Sequence, residues 1–272
     1  MVLEKLSLEG KSAIVTGGGT GLGRAMSLAM AKAGADIALA ARRLEPLERT
    51  AAEIKALGRG AVAIPTDITV SQQVNDMVAR AIAEFGKIDV LVNNAGIVRE
   101  HQNQRLPIEE LTDEQWRRGI DTNLTGTFYC CRAIAGHMRG RKQGKIINVA
   151  SGSGIRAQRN HYVYSAAKAG VIQFTKVLGF SWASENIQVN CIVPGFFTTE
   201  SQKERGVDTF VEGRARFNPM GRTGSPSEIG LLTLFLASDA SSYITSEVFC
   251  IEGGALSAGY APTEYAPRVE IK

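Results

Sequence analysis

The segment "HYVYSAAKAG" sets Tyr164 and Lys168 four residues apart. On a helix that spacing brings a phenol and an ammonium to one face. A free tyrosine has a pKa of about 10 and is a poor base at neutral pH, but a nearby cation favours the phenolate and lowers that value. Such a pair can give or take a proton near neutrality. Tyr162 has Ala166 at the matching position and lacks such a partner. Ser151 ends the apolar run "GKIINVA" upstream of Tyr164, and Asn123 sits in "DTNLTGTF". A serine hydrolase would need G-x-S-x-G, yet Val149 stands two residues before Ser151 and Ser151 two before Ser153, so the nucleophile elbow is absent.

A second feature binds rather than reacts. Residues 16–24 read "TGGGTGLGR", and glycine is used where the backbone needs φ > 0 or where something must approach closer than a Cβ allows. "KSAIVT" before it reads as a short buried strand. "LGRAMSLAMAKAGA" after it puts Leu22, Met26, Ala29, Met30 and Ala33 on one stripe and stops at Gly34. Strand, glycine turn and helix aim free N–H groups and a positive helix end at one point, where a pyrophosphate can sit. The spacing fits T-G-x-x-x-G-x-G through Gly17, Gly21 and Gly23, not G-x-G-x-x-G.

Elements that could hold these groups recur along the chain. Apolar strands are expected at 36–41, 61–66, 88–94, 144–150, 187–193 and 246–253, with helical patterns near 44–57, 70–84, 113–139, 161–184 and 226–237. Thr112 with Gln115 and Ser225-Pro226-Ser227-Glu228 read as helix starts. Continuous apolar strands alternating with helices predict an α/β fold, a doubly wound parallel sheet covered on both faces. Ligands then bind at the carboxyl ends of the strands. Nothing splits the chain, so residues 1–272 read as one domain, with 98–110 and 200–224 as flexible walls (the latter a substrate lid) and 255–272 as a C-terminal tail.

Composition narrows the class. With 44% hydrophobic and 21% charged residues and a net charge of +4, neither nucleic acid nor an anionic membrane is indicated. No apolar run suits a membrane span and "MVLEKLSLEGKS" lacks a signal-peptide core; a cytoplasmic location is the expectation. Cys130, Cys131, Cys191 and Cys250 lack chelating spacing, and with three histidines no metal site is expected. All four thiols read as reduced and mostly buried.

Taken together, the glycine turn, "NNAG" at 93–96, Asn123, Ser151, the Tyr164–Lys168 pair and "PGFFTT" at 194–199 resemble, in order, the short-chain dehydrogenase/reductase family in its single-domain branch, from about Lys11 to Gly254. The resemblance implies a Rossmann-like sheet of about seven strands and a nicotinamide cofactor. It implies that Tyr164 is the acid/base, that Ser151 hydrogen-bonds the substrate oxygen, and that Lys168 binds the nicotinamide ribose and lowers the tyrosine pKa. Asn123 would hold a helix distortion and a water linking Lys168 to solvent. Cofactor contacts would come from Gly17, Gly19, Thr20, Gly21, Leu22 and Gly23, from Asp67 and Ile68, from Asn94, Ala95 and Gly96, and from Pro194, Gly195, Phe197 and Thr199, besides Tyr164 and Lys168. By the same analogy Ile97, Val98, Ser153, Ile155, Gln158, His161, Phe196 and Phe197 flank the reacting centre, with Ser151, Ser153, Gln158, His161 and Tyr164 touching substrate. Asn93, Asn94 and Asp67 have structural readings too, tying strands or capping a loop.

Cofactor choice turns on the second strand. An NAD site places an acid at that strand's end, but Asp36 begins "DIALAA" and Ala41 ends it, followed by Arg42 and Arg43. Guanidinium groups suit a 2′-phosphate. The expectation is NADP(H), with Arg42 the main contact and Arg43 secondary. The substrate is expected to be a small or medium polar carbonyl or alcohol. A 3-oxoacyl-carrier-protein reductase is an alternative: "GFSWAS" has Phe180 where a docking arginine often stands in such relatives, while Arg139, Arg141 and Lys142 offer a basic patch. A catalytically silent nucleotide sensor is the alternative of a different class. Relatives pair through helices matching 112–139 and 161–184 and through ends matching "SEVFCIEGGALSAGY", so a homotetramer is expected.

Overall fold

A computed structural model describes residues 3–97, 106–199 and 218–257. Most of the proposed lid (200–217), the tip of the other wall (98–105) and most of the tail (258–272) lie outside the described residues.

Seven parallel strands form one sheet in the order β3-β2-β1-β4-β5-β6-β7: β1 Ser12–Thr16, β2 Asp36–Ala41, β3 Ala61–Pro65, β4 Val90–Asn93, β5 Gly144–Val149, β6 Ile187–Pro194 and β7 Val248–Ile251. The order reverses between β1 and β4, which are hydrogen-bonded neighbours. Two adjacent strands whose connections run opposite ways leave a crevice at their carboxyl ends.

Strand side chains alternate between the two faces, and each face has its own apolar layer. Ala13, Val15, Ile37 and Leu39 pack with helices α1 (Gly21–Lys32), α2 (Leu44–Ala56) and α7 (Pro226–Ala237). Ile14, Ala38, Leu91 and Ile146 pack with α3 (Ser71–Phe85), α5 (Gly126–Arg141) and α6 (Tyr162–Trp182). Both expected helix starts are present. Gln115 N donates to Thr112 Oγ1 at 3.2 Å while Thr112 N donates to Gln115 Oε1 at 2.9 Å, and Glu228 accepts the Ser225 N–H at 2.7 Å.

The helix expected over 113–139 is interrupted at Asn123, where the family resemblance implies a distortion. It runs as α4 (Asp113–Ile120), a π turn at Asp121–Thr125, and α5. The expected basic patch is also partly consumed: Arg139 Nε donates to Glu185 at 2.8 Å, and Arg141 is paired with Asp89 at 2.5 Å and donates to the Ile88 carbonyl at 2.8 Å. A cation already hydrogen-bonded to a carboxylate is poorly placed to recruit another anion.

Candidate active site

The glycine turn leaves β1 and enters α1. Gly17 has φ +67° and Gly21 φ +54°, conformations that disfavour any side chain. A Cβ at Gly23 would lie 2.1 Å from the Gly17 carbonyl oxygen, and one at Gly17 would lie 2.7 Å from Asn94 Nδ2. Two close approaches therefore fold the turn tightly, and Thr20 ends up exposed at the start of α1. The first N–H groups of a helix have no partner within it. A turn with no side chains beside those donors fits a pyrophosphate.

Thr16 fastens this turn to β4. Its hydroxyl accepts from the backbone N–H groups of Asn94 (3.0 Å) and Ala95 (3.1 Å), and Asn94 Nδ2 donates back to the Thr16 carbonyl at 3.0 Å. Asn93 points the other way, into the layer, donating to Asn148 Oδ1 at 2.8 Å; Asn148 donates to Thr175 at 2.9 Å. The structural reading of Asn93 is the one observed, whereas Asn94 sits at the crevice. Thr16 opens the T-G-x-x-x-G-x-G spacing in the sequence, but its part in tying the turn to β4 is not visible there.

The π turn sets Asn123 against the next loop. Its amide accepts from Ile97 N at 3.2 Å and donates to the carbonyls of Ile97 (3.3 Å) and Gly119 (3.1 Å). A Cβ at Gly96 would lie 2.8 Å from Asn123 Oδ1 and 3.5 Å from Lys168 Nζ, so that glycine admits both side chains. Lys168 is buried and donates from Nζ to the Val149 carbonyl, the last residue of β5, at 2.9 Å. Its Nζ lies 5.8 Å from the centre of the Tyr164 ring. The Ser151 hydroxyl accepts from Ser153 N at 3.2 Å and lies close enough to the Tyr164 phenol to favour its ionised form. The structure thus brings Asn123, Ser151, Tyr164 and Lys168 together.

Burial dominates the electrostatics. It pushes the Tyr164 phenol up, with the Ser151 hydroxyl pulling it down, and it pushes Lys168 down to about 8. The expected lowering of the phenol by Lys168 is not found in this state. Burial of the phenol, the largest influence on it, outweighs the others. The thiols of Cys130, Cys131 and Cys191 are buried and pushed up, hence unreactive, while Cys250 is exposed; all four are free.

The remaining expected residues divide. Asp36 sits at the amino end of β2, accepting from Gly60 N at 2.7 Å and pairing with Arg59 at 3.3 Å, so it holds loop 59–60. Arg42 and Arg43 are exposed past the carboxyl end of that strand, and no ion pair to either occurs among the described residues. Asp67 accepts from Thr69 N (3.0 Å) and Oγ1 (2.7 Å), capping its own loop, and Ile68 packs on Gly126. Thr199 lies beside Gly21. Pro194 and Gly195 end β6 beside β7, Gly195 N donating to Ile251 O at 2.9 Å, and Phe197 packs on Gly224. Ser153 is buried and Gln158 exposed. The buried His161 ring meets Tyr164 edge-on at 5.9 Å, and both line a cavity of about 20 Å³ with Leu106 and Leu111.

Residues 11–209 match the short chain dehydrogenase family. The chain belongs to this family. It is 36% identical over 250 residues to a 3-oxoacyl-[acyl-carrier-protein] reductase of Synechocystis sp., covering 91% of this chain and 98% of that one. It is equally 36% identical over 259 residues to the 2-dehydro-3-deoxy-D-gluconate 5-dehydrogenase of Escherichia coli, covering 94% and 100%. A gluconate 5-dehydrogenase from Burkholderia cenocepacia, solved with NADP and tartrate, superposes with TM-score 0.86 at 33% identity over 95% of this chain and 100% of that one. As a family member this chain is an oxidoreductase with a nicotinamide cofactor, NAD(P)(H), and a small-molecule substrate. No helix among the described residues is long and apolar enough to cross a membrane.

The burial of Lys168 has a cost that can be measured. A lysine with its folded pKa near 8, against 10.5 in the unfolded chain, favours unfolding by roughly 3 kcal/mol wherever both states would carry the proton. Stability should therefore rise with pH between about 8 and 10.5; Lys145, also held near 8 by burial, contributes to the same rise. Replacing Lys168 by Met removes this penalty and forfeits one hydrogen bond, about 1 kcal/mol. In thermal melts of cofactor-free protein at pH 7, Lys168→Met should raise Tm by several degrees, with the gain shrinking toward pH 10.5. A Tm equal to or below wild type at pH 7 would overturn this account of the buried ammonium.

Proposed function

We propose that this protein is an NADP(H)-dependent dehydrogenase/reductase acting on a small or medium polar carbonyl or its secondary alcohol, with Tyr164 as acid/base. The observation that carries the reading is the buried Lys168, its Nζ 5.8 Å from the Tyr164 ring centre and bonded to the carbonyl that ends β5, with Gly96 leaving room for it beside Asn123. The cofactor, when bound, supplies or accepts the hydride at nicotinamide. Gly17 to Gly23 would hold its pyrophosphate, and Asn94 to Gly96 and Pro194 to Thr199 would flank the nicotinamide side.

In the reducing direction Tyr164 gives its phenolic proton to the substrate oxygen as the carbonyl becomes an alcohol. Ser151 has a lone pair engaged by Ser153 N, which directs its own O–H toward that oxygen. Lys168 offsets the phenolate left behind, and Asn123 holds the turn beside it; in oxidation each step reverses. The desolvated site strengthens each of these interactions. The internal pairing of Arg139 and Arg141 favours a free small substrate over one presented by an acidic carrier protein. Similarity to sugar-acid dehydrogenases points the same way and makes a hydroxy acid the first substrate to try.

Tyr164→Phe should lower turnover by about 10²–10⁴ with cofactor binding nearly intact, whereas Tyr162→Phe, whose hydroxyl donates to Asn160 Oδ1 at 3.2 Å, should be mild. Equal losses in steady-state assays would remove Tyr164 from its role, and a chain that turns over no ketone or secondary alcohol with either nicotinamide would favour the sensor reading.

What supports an NADP(H) preference is the bare strand end at Ala41, the exposed Arg42 and Arg43 beyond it, with no ion pair among the described residues, and the engagement of Asp36 at the opposite end. Ala41→Asp should shift preference toward NAD(H), and Arg42→Ala should raise the Michaelis constant for NADPH with little change for NADH. Faster wild-type turnover at low NADH than at equal NADPH would refute the preference.

A homotetramer is the assembly we infer. Phe180 and Val177 on α6 are 83% and 54% exposed, and Leu231 on α7 is 65% exposed, more apolar surface than a monomer comfortably shows. Sedimentation at micromolar concentration should give a four-chain species; a monomer alone would rule it out.

A further inference from the structure

The loop "SGSG" at 151–154 is held from two sides, and only one of them belongs to the residues expected from sequence. At Gly154 an added Cβ would lie 2.7 Å from the Lys168 carbonyl carbon, so the loop lies directly on α6. At Gly152 an added Cβ would lie 3.4 Å from Leu256 Cδ2, ordinary van der Waals contact. The Leu256 side chain also packs on the buried cluster Ala150, Val171, Cys191 and Val193, at the ends of β5 and β6 and under α6. Ser151 therefore begins a two-glycine turn whose far side is defined by one leucine from beyond β7.

Leu256 is itself fixed. Glu252 accepts from the backbone N–H groups of Leu256 at 2.7 Å and Gly254 at 3.2 Å. The Glu252 carbonyl accepts from Asn218 Nδ2 at 3.0 Å. Arg156, at the end of the Ser151 loop, donates to the Ala255 carbonyl at 3.1 Å. Segment 252–257 is thus bonded to the Ser151 loop on one side and to residue 218 on the other.

We propose that Leu256, held by Glu252, is a positioning residue for Ser151: it closes the open side of the Gly152 turn and fixes where the Ser151 hydroxyl points. Glycine-rich turns have many accessible conformations, and misplacing a catalytic group by about 1 Å can cost on the order of 10²-fold in rate. This inference rests on the reading of Ser151 as the hydrogen-bond donor to the reacting oxygen.

The test is a double-mutant cycle. Leu256→Ala should lower kcat by about tenfold or more while leaving the Michaelis constant for the nicotinamide cofactor within about twofold, and Leu256→Met, which refills the volume, should restore most of it. In a Ser151→Ala background the Leu256→Ala change should cost little further, because the group it positions is gone. Hydrogen exchange at residues 152–154 should quicken in Leu256→Ala and return in Leu256→Met; this reads the contact even if no substrate is turned over, separating a failure of the proposal from a failure of the Ser151 reading. Should Leu256→Ala prove poorly folded, Leu256→Val with the same cycle replaces it. An unchanged kcat in the truncated variant, the same fold-loss with and without Ser151, or exchange at 152–154 indifferent to Leu256 would overturn the proposal.

Discussion

The site depends on keeping one ammonium out of water. Lys168 is buried where its Nζ donates to the carbonyl that ends β5, and much of the neighbouring backbone is shaped to allow it. Gly96 and Gly154 lack side chains where Asn123, Lys168 and α6 need the room. Desolvation lowers the proton affinity of that amine and raises that of the phenol, so two groups whose ordinary values lie close together are driven apart: the phenol holds its proton, and the amine is the readier of the two to lose one.

The two ends of the sheet use charge differently. At the amino end Asp89 accepts from Ser12 N at 3.1 Å and pairs with Arg141 and Lys87, while His137 accepts from Ile88 N at 3.1 Å. That network ties β1, β4 and α5 together and leaves its groups mutually satisfied. At the carboxyl end Arg42 and Arg43 have no ion pair among the described residues, whereas Arg24 in the first turn of α1 is paired with Glu53 of α2.

Much of this was legible in the sequence. The bounds of β2 and α7 coincide with those expected, because a continuous β-branched and alanine run in one case and a Ser-Pro start in the other leave little choice. The joint spacing of Asn123, Ser151, Tyr164 and Lys168 picked out four residues that the fold brings together. What could not be read were facts of three-dimensional company. The direction of the Tyr164 shift depends on burial, which an i, i+4 spacing does not report. The pairing of Arg139 with Glu185 and of Arg141 with Asp89 joins segments distant in sequence, so the basic patch looked freer than it is. Glu252 and Leu256 carry no local signal at all; only the space left by Gly152 reveals them.

The π turn at Asp121–Thr125 has a consequence beyond Asn123. An α-helix advances about 100° per residue, and a π turn amounts to one residue inserted into that winding. It acts as a phase shifter between two lengths of helix. Upstream, only Gly119 of α4 is buried, whereas downstream α5 buries Cys130, Cys131, Ile134 and Met138. Removing one residue from this turn would leave a perfectly good helix with its apolar stripe rotated off the sheet. The chain therefore cannot relax into ordinary winding here, and the defect that shapes the site is locked in by the core on the far side of it.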